Sequence, residues 1–168
     1  MRTRRDVVLP IGAVLALAVV VGVAWWWLAP TGPVQLAQGY LVPTGAGRAG
    51  PPSDVFAATQ DAVFTVLTAV AGAVSGLGVG VWPGSPQRTF ARWVAVVSTG
   101  LVAPVVSWGV GALLGPASVA AQQAADVDPL VSPLRLSSPA PLLVWAAATC
   151  AVAFATALVS ALHRRTPP

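Results

Sequence analysis

Side chains able to act as acid, base, nucleophile or metal ligand are sparse and scattered in this chain of 168 residues. The acids are Asp6, Asp54, Asp61, Asp126 and Asp128, the one histidine is His163 and the one cysteine is Cys150. A zinc site normally takes three or four ligands, which one histidine and one cysteine do not supply. There is no Cys-x-x-Cys pair, no phosphate-binding glycine loop after a strand, and no serine or cysteine nucleophile with a histidine base on its side. The expectation is therefore that the chain is not an enzyme working alone and carries no cofactor or metal. Cys150 falls in the middle of an apolar run, where a thiol reads as a small buried packing residue.

One ionisable residue stands apart. Asp61, in Ala57-Ala-Thr-Gln-Asp61-Ala-Val-Phe64, lies within or just above the end of an apolar run. A carboxylate inside a membrane helix would be a proton carrier, a cation ligand or half of an ion pair. If the helix starts at Asp54, Asp61 lies about two turns in, roughly 10 Å at 1.5 Å per residue. That depth places it at headgroup level, paired with Arg135 or Arg48 or simply hydrated.

The elements that hold these residues follow from composition. At 56% hydrophobic and 8% charged, the chain is too apolar for an ordinary water-soluble domain. Four stretches, about 7–28, 56–82, 93–114 and 142–162, reach the roughly 20 apolar residues that cross about 30 Å of hydrocarbon. Each reads as a helix, because a helix satisfies its own backbone where lipid cannot. The alternation of a membrane β-barrel is missing. The predicted fold is thus all-α, an integral membrane bundle of four transmembrane helices forming a single domain over 1–168. Longer outer loops occupy about 29–55 and 115–141. The N-terminal stretch reads as an uncleaved first span, since its apolar run exceeds the usual signal core of about 7 to 15 residues.

Charge and tryptophan give the bundle a direction. Arg2, Arg4 and Arg5 precede the first span, Arg88 and Arg92 lie in the second loop, and Arg164 and Arg165 follow the last span. Only Arg48 and Arg135 fall on the other side, so the positive-inside rule puts both termini in the cytoplasm of a plasma-membrane protein. The net charge of +4 then faces anionic lipid headgroups and not nucleic acid. Tryptophan favours the membrane interface, where its ring is apolar and its N–H finds a partner. Trp25, Trp26, Trp27, Trp108 and Trp145 are read as anchors at the outer interface, and Trp82 and Trp93 as brackets of the inner turn.

Within the spans, Gly72, Gly76 and Gly80 form one narrow stripe that admits another backbone, either within the bundle or from a partner. Ala147, Ala151 and Ala155 offer a similar face, as do Ser107, Gly111 and Gly115. Pro104 has no N–H for the carbonyl of Gly100, so a kink is expected there, with Gly100 leaving room. Pro10 either kinks an early turn or marks the start of a shorter helix. The short second loop makes spans two and three antiparallel neighbours. Val34, Leu36, Tyr40, Leu41 and Val42 are too apolar for a free linker, and Val131, Leu134 and Leu136 match them. A small two-stranded extracytoplasmic sheet is predicted between these segments.

Several short motifs, Leu28-Ala-Pro30, Asp61 with Phe64, the short arginine loop before the third span, and Pro133-Leu134-Arg135-Leu136 ahead of Leu143-Val144-Trp145, together resemble an uncharacterised family. That family consists of short four-span membrane proteins, a domain of unknown function, from high-GC Gram-positive (actinobacterial) bacteria. The resemblance implies topology and lineage and carries over no catalytic residue. The expected role is a non-enzymatic structural or accessory component of a plasma-membrane or cell-envelope assembly, with a membrane-protein partner or a second copy. The alternative is a small oligomeric transporter or channel using Asp61.

Overall fold

A computed structural model describes residues 2–37, 40–43, 54–81 and 86–163. Four long helices dominate: α1 (Arg2–Leu28), α2 (Asp54–Val81), α3 (Pro86–Leu114) and α5 (Pro141–His163), with a short α4 (Val119–Ala124) before the last. All four are long and apolar enough to cross a membrane. They outrun the apolar stretches that announce them. α1 begins at Arg2, so Pro10 lies inside it, and α3 begins at Pro86, where a fixed φ suits a first helical turn. α4 was not foreseen; Ser118 caps it by accepting from the N–H of Ala121.

The predicted two-stranded sheet is a three-stranded one. β1 (Pro33–Ala37) pairs antiparallel with β2 (Tyr40–Pro43) on one side and with the two-residue β3 (Leu130–Val131) on the other, in the order β2-β1-β3. The pairing between the two connecting segments is the predicted one, Pro33 facing Val131 and Val34 facing Leu130. The hairpin was missed because two residues join its strands without an Asn-Gly or Asp-Gly signal. β3 is short because Pro129 and Pro133 bracket it and cannot donate to a ladder.

Helix packing departs from chain order. α1 packs chiefly on α3 and α2 chiefly on α5, while lighter α3–α5 and α1–α2 contacts close a ring. α2 and α3, expected as close neighbours from their short connection, touch only lightly across a diagonal. Both strong pairs are parallel. Ser107 of α3 bonds to Ala18 of α1 and Gly111 lies on Trp25, so the two chains climb together. Gly72 meets Trp145 and Gly76 meets Thr149 in the same ascending sense.

These pairs approach closely because glycine sits at the crossings. A methyl on Gly72 would strike the Trp145 carbonyl, and one on Gly76 would come within 2.6 Å of the Thr149 carbonyl. The glycine stripe of α2 is thus filled by α5, with the surroundings of Gly80 outside the described residues. The alanine face is not: Ala147, Ala151 and Ala155 are exposed, and so is Cys150, for which its apolar surroundings in the sequence predict burial. The inward face of α5 instead carries Trp145, Ala146, Thr149 and Ala153.

Candidate functional site

The sheet end of the bundle gathers polar residues far apart in sequence. Gln60, six residues into α2 and 1% exposed, is its centre. Its Nε2 donates to the carbonyl of Pro30 at 3.0 Å, and its Oε1 accepts from the backbone N–H of Arg135 at 3.2 Å. Its own carbonyl accepts from the Trp25 indole at 3.0 Å. One carboxamide therefore ties the end of α1, the start of α2 and the segment leading into α5. A buried amide must be satisfied in this way, since an unpaired polar group away from water is costly.

Apolar contacts close around the tie. Trp25, Ala29, Phe64 and Leu134 form a buried cluster with Val63, Leu67, Leu136 and Leu142 against it. The Trp25 and Phe64 rings meet edge to face, with centroids 5.0 Å apart at 70°. A side chain on Gly111 would strike the Trp25 ring, so the third helix closes over the indole only because that position is glycine.

Asp61, the next residue, points to the rim and is half-buried. Its Oδ1 accepts from the Ser137 backbone N–H at 3.0 Å and its Oδ2 from the Ser137 hydroxyl. Among the described residues it forms no ion pair with Arg135, which is exposed and contributes its backbone to Gln60. The physical reason is reach: the chain after Leu134 brings Ser137 onto the carboxylate and turns the Arg135 side chain outward. Arg48, the other candidate partner, lies outside the described residues.

A second glutamine does similar work beside the sheet. Gln122, buried in α4, donates from Nε2 to the carbonyl of Val131 at 2.8 Å and accepts at Oε1 from the Val131 N–H at 2.8 Å. The same Nε2 reaches the Ala117 carbonyl at 2.6 Å. Its amide pairs with the β3 backbone as a neighbouring strand would, covering that edge of the sheet.

The tryptophans divide in a way their positions did not predict. Trp25 and Trp145 are fully buried, turned into the bundle rather than along its rim. Trp26, Trp27 and Trp108 are exposed, Trp93 is half-buried, and Trp82 lies outside the described residues. Pro104 is buried within a continuous α3, and Gly100 lies one turn before it. Gln60, Gln122 and Ser137 were missed because neutral amides and hydroxyls carry no chemistry to flag. The available signal was an amide beside Asp61 in an otherwise apolar helix.

Residues singled out in the sequence converge here, apart from the arginine loop before α3, which lies at the other end of the bundle. Pro30, Asp61, Phe64, Leu134 and Arg135 all belong to the clasp, although they come from three separate segments. In it hydrogen-bond donors face acceptors: the Trp25 indole, the Gln60 amide and the Arg135 and Ser137 backbone N–H groups each find an oxygen. Among the described residues no three of His, Cys, Asp and Glu come together as a metal site would require. Comparisons with known protein families, with curated proteins and with solved structures find no match.

Proposed function

We propose that this chain is a multi-pass protein of the plasma membrane with both termini in the cytoplasm. It serves there as a non-enzymatic structural or accessory component of a membrane or cell-envelope assembly. The observation that carries this reading is an inverted distribution of side chains. The long helices bury Thr68, Ser75, Thr99, Ser107 and Thr149 with small residues such as Ala18, Ala71 and Ala103. They expose Val20, Val66, Val70, Leu101, Leu143 and Phe154. In water this arrangement would leave most apolar burial unrealised; in lipid the exterior is already solvated and close packing of small residues holds the helices together.

The hydrogen bonding fits the same solvent. Thr68, Ser75, Thr99, Ser107 and Thr149 each donate to the carbonyl four residues earlier, so each hydroxyl hydrogen has its acceptor within the protein. Ser107 and Thr149 also reach across to Ala18 and Gly72. α1 and α3 begin at the end away from the sheet, which gathers Arg2, Arg4, Arg5, Arg88 and Arg92 toward anionic cytoplasmic lipids. The sheet and clasp then face the exterior, where a partner would meet them.

The accessory reading is preferred over a transporter because Asp61 is engaged by Ser137 at the rim of the bundle. Reporter fusions test the topology: a fusion near Asp128 reads outside and one at the C-terminus inside, and the reverse at either site overturns it. Mild-detergent purification tests the role. A defined stoichiometric partner supports an accessory subunit. Proton or cation flux in vesicles holding the chain alone, lost in Asp61→Asn, replaces that reading with a transporter.

A further inference from the structure

α5 sits lower in the bundle than the helices around it. Gly72 abuts the Trp145 carbonyl and Gly76 the Thr149 carbonyl, so Pro141, the first residue of α5, comes level with Thr68 of α2. Thr68 is roughly two turns below Gln60, about 12 Å at 1.5 Å per residue. The cause is the segment before α5. Leu134 is held in the cluster with Trp25 and Phe64, and Ser137 on Asp61, so the chain must descend from there before the helix starts.

The same shift carries the other end of α5 past its neighbours. α2 ends at Val81, level with Phe154. A separate register, Gly100 against Trp145, Ala146 and Thr149, brings Arg92 of the antiparallel α3 to the same height. The bond from Ser107 to Ala18 brings Arg2, Arg4 and Arg5 of α1 within about a turn of that layer. From Phe154, α5 runs on to His163, about 13 Å further.

This extension is apolar. Phe154, Leu158 and Leu162 share one helical face and are 67%, 50% and 57% exposed. Thr156 and Ser160 turn their hydroxyls onto carbonyls of their own helix. At the same height α3 carries Gln87, Arg88 and Thr89.

Neither lipid nor a second copy suits this face. In the proposed bilayer the arginine layer lies among the headgroups, so acyl chains stop short of Leu158 and Leu162. A second copy would bring the same cations. Arg88 and Arg92 join those of α1 here, Arg164 and Arg165 follow α5 in the sequence, and the acid of this end is Asp6, the other four belonging to the sheet end. Like charges set against one another disfavour that pairing.

We infer that the projecting end of α5 docks an amphipathic helix of a partner protein, apolar on the face that meets Leu158 and Leu162 and acidic on its flanks. Regularly spaced apolar anchors are how one helix reads another, and the surrounding arginines orient an acidic one. The inference deepens the accessory role proposed above and rests on that reading for where the bilayer lies.

The full-length protein in phosphatidylcholine nanodiscs tests it, with Cys150→Ser and one nitroxide at L143C, L158C or L162C. The expected result is oxygen-dominated collision at L143C and dominance of a water-soluble nickel relaxant at L158C and L162C. Oxygen dominance at these last two means that lipid covers the end, and overturns the inference. Spin–spin broadening between protomers there overturns it in favour of a second copy. The second arm uses a fluorescent synthetic helix with leucines on one face and glutamates elsewhere. Saturable binding is expected, weakened about tenfold by Leu158→Ser with Leu162→Ser, and lost when lysines replace the glutamates. No saturable binding of the acidic peptide, or none of that weakening, overturns the inference. Nanodiscs open both ends to the peptide, so a C-terminal reporter reading outside overturns the topology separately.

Discussion

Gln60 shows how much one uncharged side chain can determine. Its carboxamide and carbonyl serve Pro30, Arg135 and Trp25, so replacing it removes two bonds and strands the Pro30 carbonyl and the Arg135 N–H. Gln60→Leu keeps the volume and loses the tie, and is expected to destabilise the protein by about 2–4 kcal/mol, measured by denaturant unfolding in mixed micelles. An effect below about 0.5 kcal/mol would mean that the apolar cluster of Trp25, Phe64 and Leu134 holds this end unaided. Asp61 was legible in the sequence because a charge in an apolar helix stands out. Its role was not, because the partner is Ser137, a hydroxyl of a type scattered through the chain.

At the scale of the helix, α2 carries a contrast two residues apart. Gly76 meets the Thr149 carbonyl at 2.6 Å from where a methyl would sit, whereas Gly78 has no atom within 4 Å of that position. Gly76→Ala should cost about 1–3 kcal/mol by forcing α2 from α5. Gly78→Ala should be neutral or stabilise by up to about 1 kcal/mol through helix propensity. Thermal unfolding of the two variants in one detergent separates them; equal effects would remove the close-packed seam. The existence of four helices was readable from apolar length, and the small-residue spacing of α2 pointed to a seam. Which face of α5 meets it was hidden, since Ala147, Ala151 and Ala155 advertise a stripe as good as the one used. Only Trp145 and Thr149, a bulky ring and a hydroxyl, mark the true inward face. Tryptophan position along the chain likewise left direction around the helix open: Trp25 and Trp145 turn inward and Trp27 outward.

For the molecule as a whole, Cys150 is a built-in probe of solvent. It is exposed on α5, halfway along the helix, where the proposed bilayer would cover it. A charged, membrane-impermeant maleimide should leave it unlabelled in intact vesicles and label it once SDS disperses the bundle, because thiolate formation needs water. Rapid labelling in intact vesicles would argue against a bilayer around α5. The global packing was beyond the sequence for a topological reason: apolar pattern identifies helices, and loop length suggests neighbours, but neither tells which helices share long contacts. The parallel pairing of α1 with α3 and α2 with α5 bears on biogenesis. Neither the α1–α2 hairpin nor the α3–α5 hairpin contains the main partner of its own helices. The first half emerging from the ribosome therefore waits, incompletely packed, until the second arrives, and its Gln60 tie closes only when the segment around Arg135 has been synthesised. Assembly of this fold is committed late, because the long contacts of its first two helices are made with the last two.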